Sequence, residues 1–200
     1  MTTEQLSLDP QLDPGPRARG GWPDGLVYQP GFVTAEEEAR LISLIESLEL
    51  RPMRMRGQDS KRTVRHFGVA YEPESPSLSE AEPIPPALTW LRDRCAALAE
   101  VEPSGLVEAL LSRYPEGAGI GWHRDALKFG PRVVGVSLAS SCRMRFQRGR
   151  GASREVSAVE LEPRSAYVIG GTARSAWQHS IPATKALRYS ITFRTVQRSG

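Results

Sequence analysis

The sequence has few of the residues that cross-link small or secreted proteins. Only two cysteines occur among the 200 residues, Cys95 and Cys142, and they lie far apart in the chain. Neither belongs to a C-x-x-C pair or to another zinc-binding spacing, so the sequence supports neither a disulfide framework nor a cysteine zinc site. We expect both to be small, buried side chains in a reducing compartment.

Long apolar runs are also missing. No stretch of about 18 apolar residues occurs, as a membrane-spanning helix requires, and the N-terminus lacks the basic start and apolar core of a secretory signal. We therefore expect a cytoplasmic, monomeric protein with no membrane partner. With 40% hydrophobic residues the chain can bury one sizeable core, which favours a single domain.

The first 25 residues contain four prolines, four glycines and little apolar content. They are predicted to form a flexible N-terminal tail, followed by one domain over residues 26–200. Residues 26–29 are expected to form its first strand. A helix is predicted to begin at Thr34, because Glu37 is placed to complete a capping box and an apolar stripe follows at helical spacing.

A second amphipathic helix is predicted over roughly residues 86–99, and a hairpin-like segment over residues 51–66. Beyond Pro103 the pattern changes to short apolar runs separated by turn residues, which is typical of an antiparallel sandwich or barrel. The whole pattern predicts an α+β fold in which N-terminal helices buttress one face of a double-sheet β core of the jelly-roll kind. The runs lie at residues 106–114, 131–139, 143–148, 155–161, 166–170, 175–181 and 187–196.

Positive charge is concentrated in two places, although the net charge is only +3 and the sequence pI about 9.1. Residues 51–66 hold six Lys or Arg against one acid, and residues 142–154 hold five Arg and no acid. Such clusters are typical of a rim that contacts phosphate groups. A charged surface that merely faces water is the alternative explanation.

Histidine is scarce too, and two of the three histidines point to a metal. His123 and Asp125 are separated by one residue, so on an extended segment both side chains face the same way. His179 offers a third ligand. Two imidazoles and one carboxylate suit Fe(II), Mn(II) or Zn(II), and the spacing does not choose among these metals. Local hydrogen bonding in turns is the competing interpretation.

Two arginines follow at strand spacing. Arg188 and Arg194 are six residues apart, which places them on one face of a strand together with Ser190 and Thr192. If that face points inward, the guanidinium groups need an anion, and a guanidinium matches a carboxylate in bidentate geometry. A small diacid between the metal and the arginines satisfies both demands, whereas an edge strand with its polar face in water needs no ligand.

Together these residues resemble the motif of the Fe(II)/2-oxoglutarate dioxygenases, and more narrowly the AlkB-type nucleic-acid demethylases of a bacterial branch. The resemblance covers about residues 26–196 and is most specific in the C-terminal half. It rests on His123-x-Asp125, His179 and Arg188-x5-Arg194, on Ser112-Arg113-Tyr114, and on the segments 119–125, 135–138, 144–146 and 177–182.

The resemblance implies a double-stranded β-helix that uses Fe(2+), 2-oxoglutarate and O2. His123, Asp125 and His179 would be the catalytic iron ligands. Cosubstrate contacts would come from the side chains of Ser112, Tyr114, Arg188, Ser190, Thr192 and Arg194, with Arg188 on the distal carboxylate and Arg194 at the keto acid end. The cosubstrate would leave as succinate and CO2, and a methyl group on a base nitrogen would leave as formaldehyde.

By the same resemblance, residues 51–71 would form a nucleotide-recognition lid. The substrate would be alkylated DNA or RNA, single-stranded or with the base flipped out. Phosphate contacts would suit Arg54, Arg56, Arg62 and Arg65, base stacking would suit His66, Phe67 and Tyr71, and Trp122 would form a wall of the substrate pocket.

The sequence departs from the family pattern at two positions. Ser112 stands where some members have Asn, and Leu127 where some have an acid that contacts the base. These departures leave alternatives open for the substrate. The same iron chemistry would hydroxylate a tRNA base, a protein side chain or a small molecule, or the chain would be a catalytically silent β-domain that only binds nucleic acid.

Overall fold

The computed structural model describes residues 21–55, 58–71 and 78–197. The predicted flexible tail therefore falls largely outside the described residues, but its last five residues are described and contact the domain. Ser157 Oγ donates a hydrogen bond to the Gly21 carbonyl at 2.6 Å, and the Trp22 ring meets Tyr28 edge-on at 6.2 Å. The packed region thus begins before the predicted boundary at residue 26.

Two longer helices and one short helix accompany thirteen strands in the described parts of the chain. The helices are α1 (Ala35–Glu46), α2 (Thr89–Ala99) and α3 (Gly171–Ser175), with 3-10 turns at Pro86–Leu88, Pro103–Gly105 and Gly151–Ser153. The strands are β1 (Leu26–Gln29), β2 (Arg51–Met55), β3 (Gln58–Phe67), β4 (Val69–Tyr71), β5 (Leu78–Glu80), β6 (Glu108–Tyr114), β7 (Ile120–His123), β8 (Phe129–Leu138), β9 (Cys142–Arg148), β10 (Glu155–Leu161), β11 (Ser165–Ile169), β12 (Gln178–Ile181) and β13 (Arg188–Val196).

Helix α1 begins as predicted. Thr34 Oγ1 accepts a hydrogen bond from the Glu37 amide at 3.1 Å, and Glu37 Oε2 accepts one from the Thr34 amide at 2.9 Å. The same carboxylate binds both terminal nitrogens of Arg94 on α2 at 2.9 Å. The Arg94 hydrogen bond lowers the pKa of Glu37 despite its partial burial. One capping residue therefore also ties the two helices together.

Strand β13 lies in the middle of the major sheet, whose order is β1-β11-β8-β13-β6-β3-β2. Its alternate residues Tyr189, Ile191 and Phe193 belong to a core cluster that also contains Leu41 and Ile45 of α1 and Leu91 of α2. The helices therefore cover one face of this sheet, as predicted. The other face of β13 carries Arg188, Ser190, Thr192 and Arg194.

A four-stranded minor sheet, in the order β10-β9-β12-β7, packs against that second face. A second apolar cluster lies between the sheets and includes Val133 and Tyr167 from the major sheet and Met144 and Phe146 from the minor sheet. Two antiparallel sheets with a shared interior confirm the predicted jelly-roll core.

One predicted strand was placed too early and one strand was missed. Of the predicted strand over 175–181, only Ser175 is helical, as the last residue of α3, and the strand begins at Gln178. Strand β7 was not among the predicted apolar runs, because its four residues, Ile-Gly-Trp-His, show no clear alternation. Residues 120–123 are extended because their backbone pairs with β12, and not because of an alternating sequence pattern.

The predicted hairpin over 51–66 is confirmed by the antiparallel pairing of β2 with β3. Strand β3 also pairs with β6 from Thr63 to Phe67, so the hairpin extends the major sheet rather than standing apart from it. Both cysteines are buried free thiols, as expected. Among the described helices, none is long and apolar enough to cross a membrane.

The packing of the helices on the sheet is testable at Leu91, which is fully buried. We expect Leu91→Ala to lower the free energy of unfolding by roughly 2–5 kcal/mol, because it removes buried methyl groups and leaves a cavity. The matched control is Leu127→Ala, at a leucine that is 80% exposed, where the change should stay within about 0.5 kcal/mol. Urea denaturation followed by far-UV circular dichroism measures both; equal losses would contradict the packing.

Candidate active site

Antiparallel pairing of β7 with β12 brings two distant histidines together. His123 lies directly opposite His179, and their ring centroids are 4.2 Å apart. The register then shifts, so that two steps along β12 match three along β7. One ligand atom each of His123, Asp125 and His179 lies within 4.8 Å of the others. The structure thus gathers the three predicted metal ligands.

The ring of His123 is oriented by the backbone. Its Nδ1 lies 2.9 Å from the Gly121 carbonyl oxygen. Because a carbonyl oxygen only accepts hydrogen bonds, Nδ1 carries the proton and Nε2 keeps its lone pair. Burial lowers the pKa of His123, although Asp125 acts in the opposite direction. The neutral ring is the form that binds a metal.

Asp125 has one occupied and one free carboxylate oxygen. Its Oδ1 accepts a hydrogen bond from Nε of Arg194 at 3.0 Å, and Nη2 of the same guanidinium lies 2.9 Å from this oxygen as an ion pair. Its Oδ2 is buried without a hydrogen-bond partner and lies 3.6 Å from His179 Nε2. Burial raises the pKa of Asp125, but Arg194 and the two histidines outweigh it and hold the pKa well below its usual range.

His179 completes the set as a neutral imidazole. Burial lowers its pKa to about 4 against the attraction of Asp125. The three side chains therefore present two neutral imidazoles and one ionised carboxylate with a free, buried oxygen. This donor set fits Fe(II) with open positions for further ligands.

Arg188 is a buried cation whose terminal nitrogens are left free. Its side chain is fully buried and its Nε donates to Ser137 Oγ at 3.1 Å, but neither terminal nitrogen has a hydrogen-bond partner among the described residues. The guanidinium packs over the Tyr114 ring at 5.0 Å. A buried guanidinium with two unpaired nitrogens fits the distal carboxylate of 2-oxoglutarate, since such a charge is costly without an anion.

One cavity, here called the triad cavity, joins the three ligands to five of the six predicted cosubstrate residues. The sixth, Arg188, does not line the cavity itself but packs on Tyr114, which does. Four polar side chains from β6 and β13 line it with Arg194. All four come from the face of the major sheet that points away from the helices. They are Ser112, Tyr114, Ser190 and Thr192.

Arg62 is buried, whereas a contact with a phosphate group of a nucleic acid requires an exposed side chain. Its side chain is buried, and Nη1 donates to the Tyr114 hydroxyl at 3.3 Å. Tyr114 thus lies between Arg62 and Arg188. Burial raises the pKa of Tyr114, but the two cations outweigh it and lower the pKa. Arg62 therefore lines the triad cavity instead of an exposed rim.

Of the predicted stacking residues, Phe67 is misassigned. It is 2% exposed and packed in the helix-side core, because odd-numbered residues of β3 face the helices. His66, on the other face, lines a second cavity beside the triad, here called the His66 cavity. Arg65 is half-buried and pairs with Glu82 at 2.8 Å.

The other substrate predictions are only partly covered by the structure. Arg56 and the side chains of Arg54 and Tyr71 lie outside the described residues. Trp122 packs against Arg145 at 5.0 Å. Because Arg145 alternates with the buried Phe146, which contacts His179, Trp122 lies on the outer face of the minor sheet and not at the cavity.

Two site residues escaped sequence analysis. Arg174 donates from Nη1 to the Asp125 carbonyl and from Nη2 to the carbonyls of Ala126 and Phe129, which holds the loop after the first two ligands. Nothing in the sequence separates it from the other arginines. Glu108 is fully buried, and a lone acid opening the apolar run of β6 was a signal that could have found it.

Known proteins resemble this chain along most of its length. Residues 25–194 match the family model of the 2OG-Fe(II) oxygenase superfamily. The chain is 28% identical over 185 residues to the tRNA (carboxymethyluridine(34)-5-O)-methyltransferase ALKBH8 of Mus musculus, covering 88% of this chain and 26% of that protein. It is 24% identical to the alkylated DNA repair protein ALKBH8 homolog of Arabidopsis thaliana, covering 80% and 51%.

The chain therefore spans from a quarter to half the length of these two relatives. Among solved structures, that of OsALKBH1 superimposes with a TM-score of 0.70 at 18% identity, over 86% of this chain and 96% of the other. The structural likeness confirms the fold, and the family match with the two ALKBH8-named relatives confirms the AlkB-type resemblance. The bacterial branch stays a prediction.

The pKa of His179 predicts a pH dependence of the metal-free protein. An unfolded histidine takes up a proton near pH 6.5, whereas folded His179 resists protonation until about pH 4. The unfolded state thus binds more protons in this window, so stability falls as the pH drops from about 6.5 to about 4, by up to about 1.4 kcal/mol per pH unit.

His179→Gln should make this slope shallower, because the glutamine takes up no proton in the unfolded state. Chemical denaturation in the presence of chelator at several pH values measures the difference between variant and wild type. Carboxylates that titrate in the same window contribute to both proteins and cancel in the difference. Identical slopes would contradict the burial of a neutral His179.

Proposed function

The chain belongs to the 2OG-Fe(II) oxygenase superfamily and is of the AlkB type, and we propose that it oxidatively demethylates N-alkylated bases in DNA or RNA. One observation carries the proposal: a His-Asp-His set with a free carboxylate oxygen shares a cavity wall with Tyr114, on which packs a buried arginine whose two terminal nitrogens have no partner among the described residues. This arrangement suits a metal and a carboxylate cosubstrate together.

We propose that His123, Asp125 and His179 hold Fe(2+), which with 2-oxoglutarate and O2 supplies the oxidising power for hydroxylation of a methyl group. Neighbouring groups of the protein orient these three ligands. Arg194 engages one oxygen of Asp125 and leaves the other for the metal. Gly121 fixes the tautomer of His123, and Arg174 holds the loop between the ligands and β8.

The proposed cosubstrate site lies along β6 and β13. Arg188 binds the distal carboxylate through its two unpaired nitrogens. Ser112, Tyr114, Ser190 and Thr192 contact the rest of the molecule from the wall of the triad cavity. Arg62, which donates to Tyr114, adds a second positive charge to that wall, so the cavity favours a dianion.

The nucleic-acid substrate is supported by the relatives and by charge. The Arabidopsis relative is named an alkylated DNA repair protein. We propose that the chain forms one domain and that its residues 51–71, which include the β2–β3 hairpin, are the lid that contacts the nucleotide. A separate groove lined by Arg124, Arg148 and Arg150 with two glutamines suits the phosphate backbone.

A flipped base in the His66 cavity also has a chemical consequence. The base would stand beside His123 and Asp125, which line this cavity too, and would exclude bulk water from the metal. Exclusion of water from the closed site suppresses side reactions, including oxidation of the protein itself. An extruded base costs unpairing energy, which is smallest in single strands, so single-stranded substrates should react fastest.

A second candidate function is hydroxylation of a modified tRNA base without loss of a carbon. The mouse relative is named for a tRNA carboxymethyluridine methyltransferase activity, although this chain covers only 26% of it. The chemistry at the metal would be the same. The products differ, because a hydroxylated base gains one oxygen, whereas demethylation releases formaldehyde.

The demethylation proposal predicts formaldehyde release from oligonucleotides that contain 1-methyladenine or 3-methylcytosine, in DNA and in RNA. Succinate should form in equal amount, and both products should depend on added iron and 2-oxoglutarate. Mass spectrometry of the oligonucleotide reports the loss of 14 mass units expected for a methyl group replaced by hydrogen.

His123→Ala is the control and should lower both products at least 100-fold, because it removes a metal ligand. Unmodified oligonucleotides are the substrate control. Succinate without formaldehyde, together with a gain of one oxygen in tRNA, would favour the second candidate instead.

The cosubstrate proposal predicts that Arg188→Ala raises the KM for 2-oxoglutarate at least roughly tenfold, since it removes a charged hydrogen-bond partner of a carboxylate. Arg40→Ala, at an exposed arginine of α1 on the far side of the major sheet, is the matched control and should leave KM unchanged. Succinate formation at varied 2-oxoglutarate measures both. An unchanged KM in Arg188→Ala would refute the assignment.

A further inference from the structure

We propose that His66 selects the substrate base by accepting a hydrogen bond from its exocyclic amino group, and that buried Glu108 fixes His66 in the tautomer able to do so. The proposal rests on the proposed demethylation. His66, which was predicted to stack on the base, would instead hydrogen-bond to it, and Glu108 would position His66.

The place of His66 follows from the sheet. Even-numbered residues of β3 face away from the helices, so His66 shares a face with Arg62. His66 lies opposite Leu110 of β6, and its cavity is also lined by His123, Asp125 and Phe129. A base held next to the metal therefore presents an edge to this imidazole.

Glu108 determines which nitrogen of His66 carries the proton. His66 Nδ1 lies 2.9 Å from Glu108 Oε1, and Glu108 Oε2 accepts a hydrogen bond from Arg194 Nη1 at 2.7 Å. The carboxylate is fully buried and, as an ion paired with Arg194, only accepts hydrogen bonds. An imidazole with a single proton therefore holds it on Nδ1 in this place, and Nε2 then presents a lone pair.

A lone pair distinguishes bases by the group on their edge. The amino group of cytosine or adenine donates to it, whereas the carbonyl oxygen of uracil at the same position places two acceptors face to face. An unpaired polar group in a site built to hydrogen-bond it costs affinity for the transition state. The matched pair for a test is 3-methylcytosine and 3-methyluracil, which carry an amino group and an oxygen at the same ring carbon.

Glu108→Gln should reverse the selection. The amide oxygen must still accept from Arg194, because the guanidinium can only donate. The amide nitrogen then faces His66 and donates to Nδ1, which moves the ring proton to Nε2. His66 would now offer a donor to the base, and the oxygen of 3-methyluracil would become the better partner.

The measurement is the ratio of kcat/KM for formaldehyde release from the two methylated oligonucleotides, at pH 8. We expect wild type to favour 3-methylcytosine roughly tenfold or more and Glu108→Gln to bring the ratio below one. A ratio cancels any loss that the variant causes at the metal through Arg194 and Asp125, since that loss affects both substrates alike.

His66→Phe separates hydrogen bonding from charge. It keeps the ring and the Glu108 carboxylate but removes both nitrogens, so the ratio should fall to about one. A ratio like that of wild type would mean that the negative charge of Glu108 attracts the methylated cytosine and would overturn the proposal. This variant also decides the question if Glu108→Gln does not fold, as judged by its melting temperature.

The two proposals fail differently. If wild type releases formaldehyde from neither base, the demethylation proposal fails, and the selection built on it fails with it. If wild type releases formaldehyde but both variants keep its ratio, demethylation stands and the His66–Glu108 selector is wrong.

Discussion

The ion pair between Arg194 and Asp125 is the interaction on which the site depends. It lies between the two sheets, where each charge alone would be costly to bury. Two nitrogens of Arg194 contact one oxygen of Asp125, and the third donates a hydrogen bond to Glu108. The result is an ionised carboxylate whose other oxygen has no hydrogen-bond partner among the described residues. That oxygen lies 3.6 Å from His179 Nε2, at the place where we propose that a metal binds.

Strand β13 carries two structures on its two faces. Tyr189, Ile191 and Phe193 pack against the helices, while Arg188 and Arg194 point between the sheets. The two arginines differ in what surrounds them. Arg194 contacts the carboxylates of Asp125 and Glu108, whereas the terminal nitrogens of Arg188 have no hydrogen-bond partner among the described residues. This difference is why we propose a positioning role for Arg194 and a ligand-binding role for Arg188.

The same logic connects the metal site to the open cavity. The chain His66–Glu108–Arg194–Asp125 is continuous in hydrogen bonds of 2.7 to 3.0 Å. Burial keeps the imidazoles of His123 and His179 neutral, and Glu108 orients a third imidazole from the other end. In the two proposals, His123 and His179 each offer a lone pair to a metal, and His66 offers one to a base. The proposed metal site and the proposed base contact are therefore linked by one set of buried charges.

The sequence by itself determined the features that depend on local spacing. The capping box at Thr34, the alternation along β13 and the three ligands were all predictable, because neighbouring residues decide helix capping and strand faces, and because few histidines compete. Tertiary structure decided the rest. Arg62 and Phe67 looked like an exposed lid, but pairing of β3 with β6 buries both, one toward the site and one toward the helices. The partners of Glu108 lie 42 and 86 residues away in the sequence, and those of Arg174 lie 45 to 49 residues away. A charged residue in the sequence does not reveal which distant group it will contact, so only the tertiary structure assigned their roles.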